Sequence, residues 1–293
     1  MKENNHIGWK RIRVLVTNKC NYSCPFCHNE GQSKDKTPIL MKLDDFKSFV
    51  TFLETEKIEE LHFSGGEPFL NPNIVNMIRF AEERLACDIG CATNFSRITE
   101  EHLETLKGSR VKFNVQFPFA TKDAFKKSTG NGNMDKILNT IEMVRNTGIM
   151  VGLNSVIQSN DISSVKNLIE LAIQYEIPLK LLPQIGLKGS DKFKDSIIPL
   201  VEEYACEYLN KGTGALRWAL KYGGKRTTLL LIDSPCFYND IQSCRNFGEL
   251  RINPDFSLQP CIMRLPAEEL KLSQGKELVI NQLAELWKHF TTC

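Results

Sequence analysis

Arg11-Ile12-Arg13-Val14-Leu15-Val16-Thr17 is followed almost at once by Cys20-Asn21-Tyr22-Ser23-Cys24-Pro25-Phe26-Cys27. The first run is rich in β-branched residues and reads as a strand. The second places three thiols, at C-x3-C-x2-C spacing, on the loop that leaves that strand. Three thiolates on one loop suit an iron–sulfur cube in which the fourth iron has no protein ligand, because clusters that only transfer electrons take four cysteines. A structural zinc site is closed by four ligands, and His28 is the neighbouring candidate to complete one.

Outward from this loop, short β-rich runs alternate with amphipathic ones. Glu60–Phe63, Asp88–Thr93, Val111–Phe117, Met150–Ile157 and Leu179–Leu182 read as strands. Residues 43–56 carry Leu43, Phe46, Phe49, Val50 and Leu53 at helical spacing. Residues 73–86, 100–106, 134–147 and 162–175 read as further helices, the last starting at Asp161 and stopping before Pro178. Six β/α units over residues 11–183 imply a parallel sheet with helices outside. A closed barrel needs eight, so the expected fold is α/β, a partial (β/α)6 TIM-like barrel open on one side. A helix near 198–210, a Gly-rich turn and a last strand at 227–232 follow. From Cys236 the composition shifts to turns, a hairpin-like stretch at 250–259 and a closing helix at 280–290. The expected organisation is an N-terminal arm (1–10), the barrel (11–230) and a small iron–sulfur-binding extension (231–293).

Composition limits the function classes. A 42% hydrophobic, 25% charged chain is an ordinary globular one, and a net charge of +2 provides no field for nucleic acid or an anionic membrane. No apolar run approaches the ~18 residues of a membrane-spanning helix. The segment Met1–Val14 lacks the apolar core of a signal peptide, so a cytoplasmic location is expected. Ten cysteines in such a chain point to metal rather than disulfides.

The cysteine loop resembles that of the radical S-adenosylmethionine (SAM) superfamily. So do Phe26 before the third cysteine, the strand end Phe63-Ser64-Gly65-Gly66-Glu67-Pro68, and Thr93-Asn94 closing the third strand. The resemblance implies a 4Fe–4S cluster on Cys20, Cys24 and Cys27 that binds SAM at its open iron and cleaves it to a 5′-deoxyadenosyl radical. Phe26, Gly65, Gly66, Glu67, Pro68 and Asn94 are the implied cofactor contacts, the glycines through close backbone approach. Gln116 and Asn154, on the fourth and fifth strands, are placed to meet the SAM ribose or carboxylate. A reductant such as flavodoxin or ferredoxin is implied as partner.

Cys236, Cys244 and Cys261 lie beyond the barrel, separated by 7 and 16 residues. That stretch resembles the twitch/SPASM-like auxiliary-cluster region, as in the GTP 3′,8-cyclases of molybdenum-cofactor synthesis, and implies a second 4Fe–4S cluster. Cys293 is the candidate fourth ligand, with Cys206 as another. Arg13 and Arg251 match arginines that the cyclases use on their nucleotide. Glu249, however, stands where a further arginine is expected, and Asn71 replaces the basic residue after Gly65-Gly66-Glu67-Pro68. A glutamate facing a triphosphate opposes binding. A ribosomal peptide or a small sugar- or cyclitol-like metabolite is the expected substrate, although no leader-binding domain fits ahead of residue 11. Cys91, on a barrel strand, is the candidate for returning a hydrogen atom to a substrate radical. Cys27-His28-Asn29 also resembles the activating enzymes of glycyl-radical proteins, which keeps that class open.

Overall fold

The computed structural model describes residues 6–28, 37–210, 214–266 and 268–292. Six strands lie side by side and parallel: β1 (Arg11–Leu15), β2 (Glu60–Ser64), β3 (Asp88–Thr93), β4 (Lys112–Gln116), β5 (Met150–Ile157) and β6 (Leu179–Pro183). The helices between them are α1 (Leu43–Leu53), α2 (Ile74–Arg84), α3 (Glu100–Thr105), α4 (Lys122–Thr129), α5 (Met134–Asn146) and α6 (Ile162–Tyr175). Each helix turns its apolar stripe inward. Phe46, Phe49, Val50 and Leu53 of α1 are fully buried against the strands. Asp161 caps α6 by accepting the Ser164 N–H at 3.2 Å, and Glu176, in the left-handed region at φ 53°, ends it ahead of Pro178.

The parallel sheet is larger than expected. After α7 (Phe193–Glu202), β7 (Ala205–Asn210), β8 (Ala215–Tyr222) and β9 (Lys225–Ile232) form an antiparallel meander, and β9 joins β6 in parallel. On the other side β10 (Glu249–Ile252) joins β1 in parallel, and β11 (Leu258–Gln259) pairs antiparallel with β10. The order is β11-β10-β1-β2-β3-β4-β5-β6-β9-β8-β7, an open sheet with β11 and β7 as its edges among the described residues.

The open side is crossed by residues 233–248, which hold α8 (Ile241–Asn246). Phe247 lies over the Arg11 guanidinium of β1 at 5.5 Å, and its ring fills the space where a side chain on Gly214, beside β8, would sit. Leu250, Ile252, Val279 and Leu283 belong to the same apolar core as the barrel strands.

Three sequence expectations change. Residues 205–210 are strand rather than helix, because Tyr208 and Leu209 pair across to Trp218 and Arg217. The expected Gly-rich turn is Gly223 (φ 58°) and Gly224 (φ 82°), the two-residue turn between β8 and β9, which demands positive φ at both positions. The short α4 is an added helix, whose single large apolar anchor, Phe125, leaves no readable period. The N-terminal segment is also not loose from residue 7 onward. Ile7 and Trp9 are fully buried, and the Trp9 indole N–H donates to the Leu283 carbonyl of α9 (Lys276–His289) at 3.0 Å.

Candidate active site

The cysteine loop seats itself over the carboxyl ends of the strands. Tyr22, Cys24 and Phe26 are buried together, with Cys20, Cys27 and Val156 packed around them. The Tyr22 N–H donates to Cys20 Sγ at 3.4 Å and the Cys27 N–H to the Cys24 carbonyl at 3.2 Å. Burial pushes the Cys20 thiol up to about 11 and the Cys24 thiol up to about 12, and neighbouring thiols add to both. These groups are therefore costly to ionise without a bound cation. Among the described residues no three His, Cys, Asp or Glu side chains converge as a single metal ion requires.

Gly65 and Gly66 make this seating possible. A Cβ on Gly65, which has φ +130°, would lie 2.4 Å from the Thr17 carbonyl oxygen. One on Gly66 would lie 1.9 Å from the carbonyl oxygen of Lys19. The freed space lets the Gly66 N–H donate to Thr17 O at 3.0 Å and the Glu67 N–H to Lys19 O at 2.8 Å. The glycines thus admit the backbone of the cysteine loop, besides lining the cavity beneath it.

Glu67 and Pro68 do not line that cavity. The fully buried Glu67 carboxylate accepts from Thr93 Oγ1 and the Asn94 N–H, both at 2.7 Å, and from the Phe69 N–H at 3.1 Å. It thereby fixes the end of β3. From there Asn94 Nδ2 donates to Asn21 Oδ1 at 3.1 Å and lies 3.9 Å from Cys20 Sγ. Glu67→Ala leaves three buried donors without an acceptor, and a loss of about 2–4 kcal/mol is expected in denaturant unfolding of the metal-free chain. Burial raises the Glu67 carboxyl from 4.5 to about 7. The native state then keeps a proton that the unfolded chain has released. Stability from this group falls as pH rises from about 4.5 to about 7, and Glu67→Gln removes that slope.

The cavity has a volume of about 180 Å³. It lies between the cysteine loop, Gly65-Gly66 and the ends of β3 to β5. Gln116 and Asn154 stand in register on β4 and β5 and both line it. Gln116 Nε2 and Asn154 Oδ1 are buried and have no partner among the described residues. Such atoms cost free energy until a ligand satisfies them.

Below this cavity the inward faces of the strands carry charge. Arg13 Nε and Nη2 donate to the two oxygens of Glu249 at 2.6 and 2.8 Å. Arg13 and Arg251 are register partners on β1 and β10, and Arg251 Nη1 is 4.0 Å from Glu249. Burial, then Arg13, lowers Arg251 to about 9, against the pull of Cys261 and Cys27. Arg251 therefore lies within electrostatic reach of both cysteine sets.

Three inward-facing residues had not been singled out from sequence. His62, pushed down by burial and then by Arg13, sets Nδ1 3.2 Å from Glu60, while its buried Nε2 has no partner among the described residues. Lys180 is the register partner of Asn154 on β6. The alternation Glu60-Leu61-His62 is the signal that marks two of them as facing the lumen.

Cys91 is a correction. It is fully buried and in register with Phe63 and Phe113 on the helix-facing side, opposite to cavity-lining Ala92. It does not face a substrate in the lumen.

Cys236 lies in the turn Pro235–Tyr238 and Cys244 on α8. A hydrogen bond from Cys244 lowers the Cys236 thiol to about 6. Cys261 follows β11, and its Sγ accepts the Met263 N–H at 3.4 Å. Cys206 is exposed on β7 beside the Ala219 carbonyl, whereas Cys236 follows Ile232, the partner of Ala215 at the far end of that meander. It is not brought to the other three. Cys293 lies outside the described residues. Its neighbour Thr292 receives a hydrogen bond at Oγ1 from Arg264 Nη2 at 2.8 Å, three residues beyond Cys261.

The model of the Radical SAM superfamily matches residues 14–172. GTP 3′,8-cyclase of Clostridium perfringens is 25% identical over 266 residues, covering 86% of this chain and 80% of that protein. A probable GTP 3′,8-cyclase of Methanococcus aeolicus is 24% identical, with 90% and 89% covered. Among solved structures, Streptococcus suis SuiB bound to S-adenosylmethionine superposes with a TM-score of 0.67 at 12% identity over 89% of this chain. This chain spans 63% of that one. The protein anSMEcpe with bound AdoMet superposes with a TM-score of 0.65 at 14% identity, with 94% and 82% covered. No described helix is long and apolar enough to cross a membrane. The family match spans over half of the chain, and it covers the cysteine loop, Gly65-Gly66-Glu67-Pro68 and the strand ends around the cavity: this chain belongs to the radical SAM superfamily.

Proposed function

We propose that this enzyme uses SAM, bound beneath the Cys20–Cys27 loop, to start radical chemistry on a small polar metabolite held in the barrel lumen. Cys20, Cys24 and Cys27 would hold a 4Fe–4S cluster, which when bound would supply the one electron for reductive cleavage of SAM to methionine and a 5′-deoxyadenosyl radical. The observation that carries the reading is the pair of buried atoms without a partner among the described residues, Gln116 Nε2 and Asn154 Oδ1, on residues that line the same cavity as the three thiols. One is a donor and the other an acceptor, which suits the polar groups of SAM. Phe26 and Val156 exclude water from the cavity. In the lumen, Glu60, His62, Lys180 and the Arg13–Glu249 pair offer the alternating donors and acceptors that a polyhydroxylated metabolite needs. Cys236 and Cys244 interact with each other, and Cys261 lies within electrostatic reach of Arg251, which supports reading the three as a second set of thiols. We assign them a second cluster, which serves as an electron acceptor or a substrate anchor. A flavodoxin- or ferredoxin-type reductant is the partner this chemistry calls for.

The test is SAM cleavage by the anaerobically reconstituted protein with dithionite. Formation of 5′-deoxyadenosine is expected, and its absence overturns the reading. Gln116→Leu and Asn154→Leu are each expected to weaken SAM binding about tenfold in equilibrium dialysis, the worth of one buried hydrogen bond. The same changes are expected to leave iron content intact and the stability of the ligand-free protein unchanged or higher, since they remove an unsatisfied group. A second reading, a nucleotide cyclase, is favoured by the relatives named GTP 3′,8-cyclase together with Arg13 and Arg251.

A further inference from the structure

We infer that Glu249 is a specificity-determining residue that closes the arginine-lined wall of the lumen to polyphosphates. The inference rests on the reading that substrate occupies the lumen, and it separates that reading's metabolite from a nucleoside triphosphate.

An arginine recognises phosphate by presenting two parallel N–H donors from one edge of its guanidinium. On Arg13 that edge is filled. Nε and Nη2 meet the two Glu249 oxygens at 2.6 and 2.8 Å, a bidentate fork. The carboxylate is also 4.0 Å from Arg251 Nη1. Arg13 and Arg251 face each other across paired parallel strands, and Glu249 precedes Arg251 by two residues on β10, so all three side chains point into the lumen. One carboxylate therefore stands between the two cations that a phosphate chain would bridge. The Arg13 and Glu249 side chains remain 20% and 26% exposed, so the pair is not sealed from solvent. A triphosphate has to displace Glu249 from Arg13 and then lie beside the displaced carboxylate, where like charges repel. A neutral or zwitterionic substrate meets the intact pair as a fixed dipole and displaces nothing.

The probes are inorganic triphosphate, GTP and guanosine, titrated by equilibrium dialysis into reconstituted wild-type, Glu249→Gln, Glu249→Ala and Arg13→Ala/Glu249→Gln proteins. Wild type is expected to bind GTP no more tightly than guanosine. Glu249→Gln is expected to gain at least tenfold for triphosphate and GTP, with guanosine unchanged and the gain lost again in the double variant. Glu249→Ala gives the same readout if the glutamine variant fails to retain iron. The inference is overturned if wild type binds GTP tenfold or more above guanosine, or if neither Glu249 variant gains affinity for triphosphate. Failure of wild type to cleave SAM strikes the radical reading and leaves these binding ratios readable.

Discussion

Replacing Cys20, Cys24 and Cys27 together by alanine is expected to lower the iron of the reconstituted protein from about eight to about four atoms per chain, with complete loss of 5′-deoxyadenosine formation. With the thiols gone, the loop keeps the buried aromatic side chains Tyr22 and Phe26 at its core. The converse variant, Cys236, Cys244 and Cys261 to alanine, is expected to retain about four irons together with SAM cleavage, and to fail only in turnover of substrate. The two sets are separate in the fold, one after β1 and the other spread over the segment that crosses the open side and the end of β11. Iron and sulfide analysis of both variants decides the matter. About four irons in wild type and none in the first variant would leave Cys236, Cys244 and Cys261 as structural thiols.

Much of this site was legible in residue order alone. The C-x3-C-x2-C loop after a β-branched run, and the glycines ending the next strand, have local signatures because each serves the backbone next to it. Gln116 and Asn154 were legible for a related reason: parallel strands bring their carboxyl ends to one side, so a polar strand end is a candidate by position. The lumen was not legible in this way. His62 and Lys180 acquire meaning from register with Arg13 and Asn154 on other strands, and nothing local marks that register. Cys91 was misplaced because a strand alternates its faces, and one residue of phase separates the lumen from the helix layer. The β6–β9 and β1–β10 pairings were missed for a third reason. Both join strands distant in sequence, Leu179 with Leu229 and Arg11 with Glu249, so no repeating β/α unit announces them.

Gly66→Ala is expected to expel the first cluster although it removes no ligand. The new methyl group would stand 1.9 Å from the Lys19 carbonyl oxygen, 2.2 Å from its carbon and 2.7 Å from the Cys20 nitrogen. All three are backbone atoms, so no side chain can rotate away, and the collision falls on the residue that begins the cysteine triplet. Relief requires the loop to lift, which breaks the Glu67 N–H bond to Lys19 O at 2.8 Å and moves Cys20 away from Cys24 and Cys27. Overpacking of this kind costs about 1–3 kcal/mol, and a backbone obstacle places it at the upper end. For a chain of this size the melting temperature falls by roughly 2–4 °C per kcal/mol. Iron is expected to drop to about four atoms, matching the cysteine variant. Gly152→Ala is the control. Its site on β5 lacks positive φ and its nearest obstacle is the Pro178 carbonyl at 3.5 Å, an ordinary contact. That variant should keep wild-type iron and melting temperature. A Gly66→Ala protein that did the same would mean that the glycine pair serves the SAM cavity alone and that the loop is held by its cysteines.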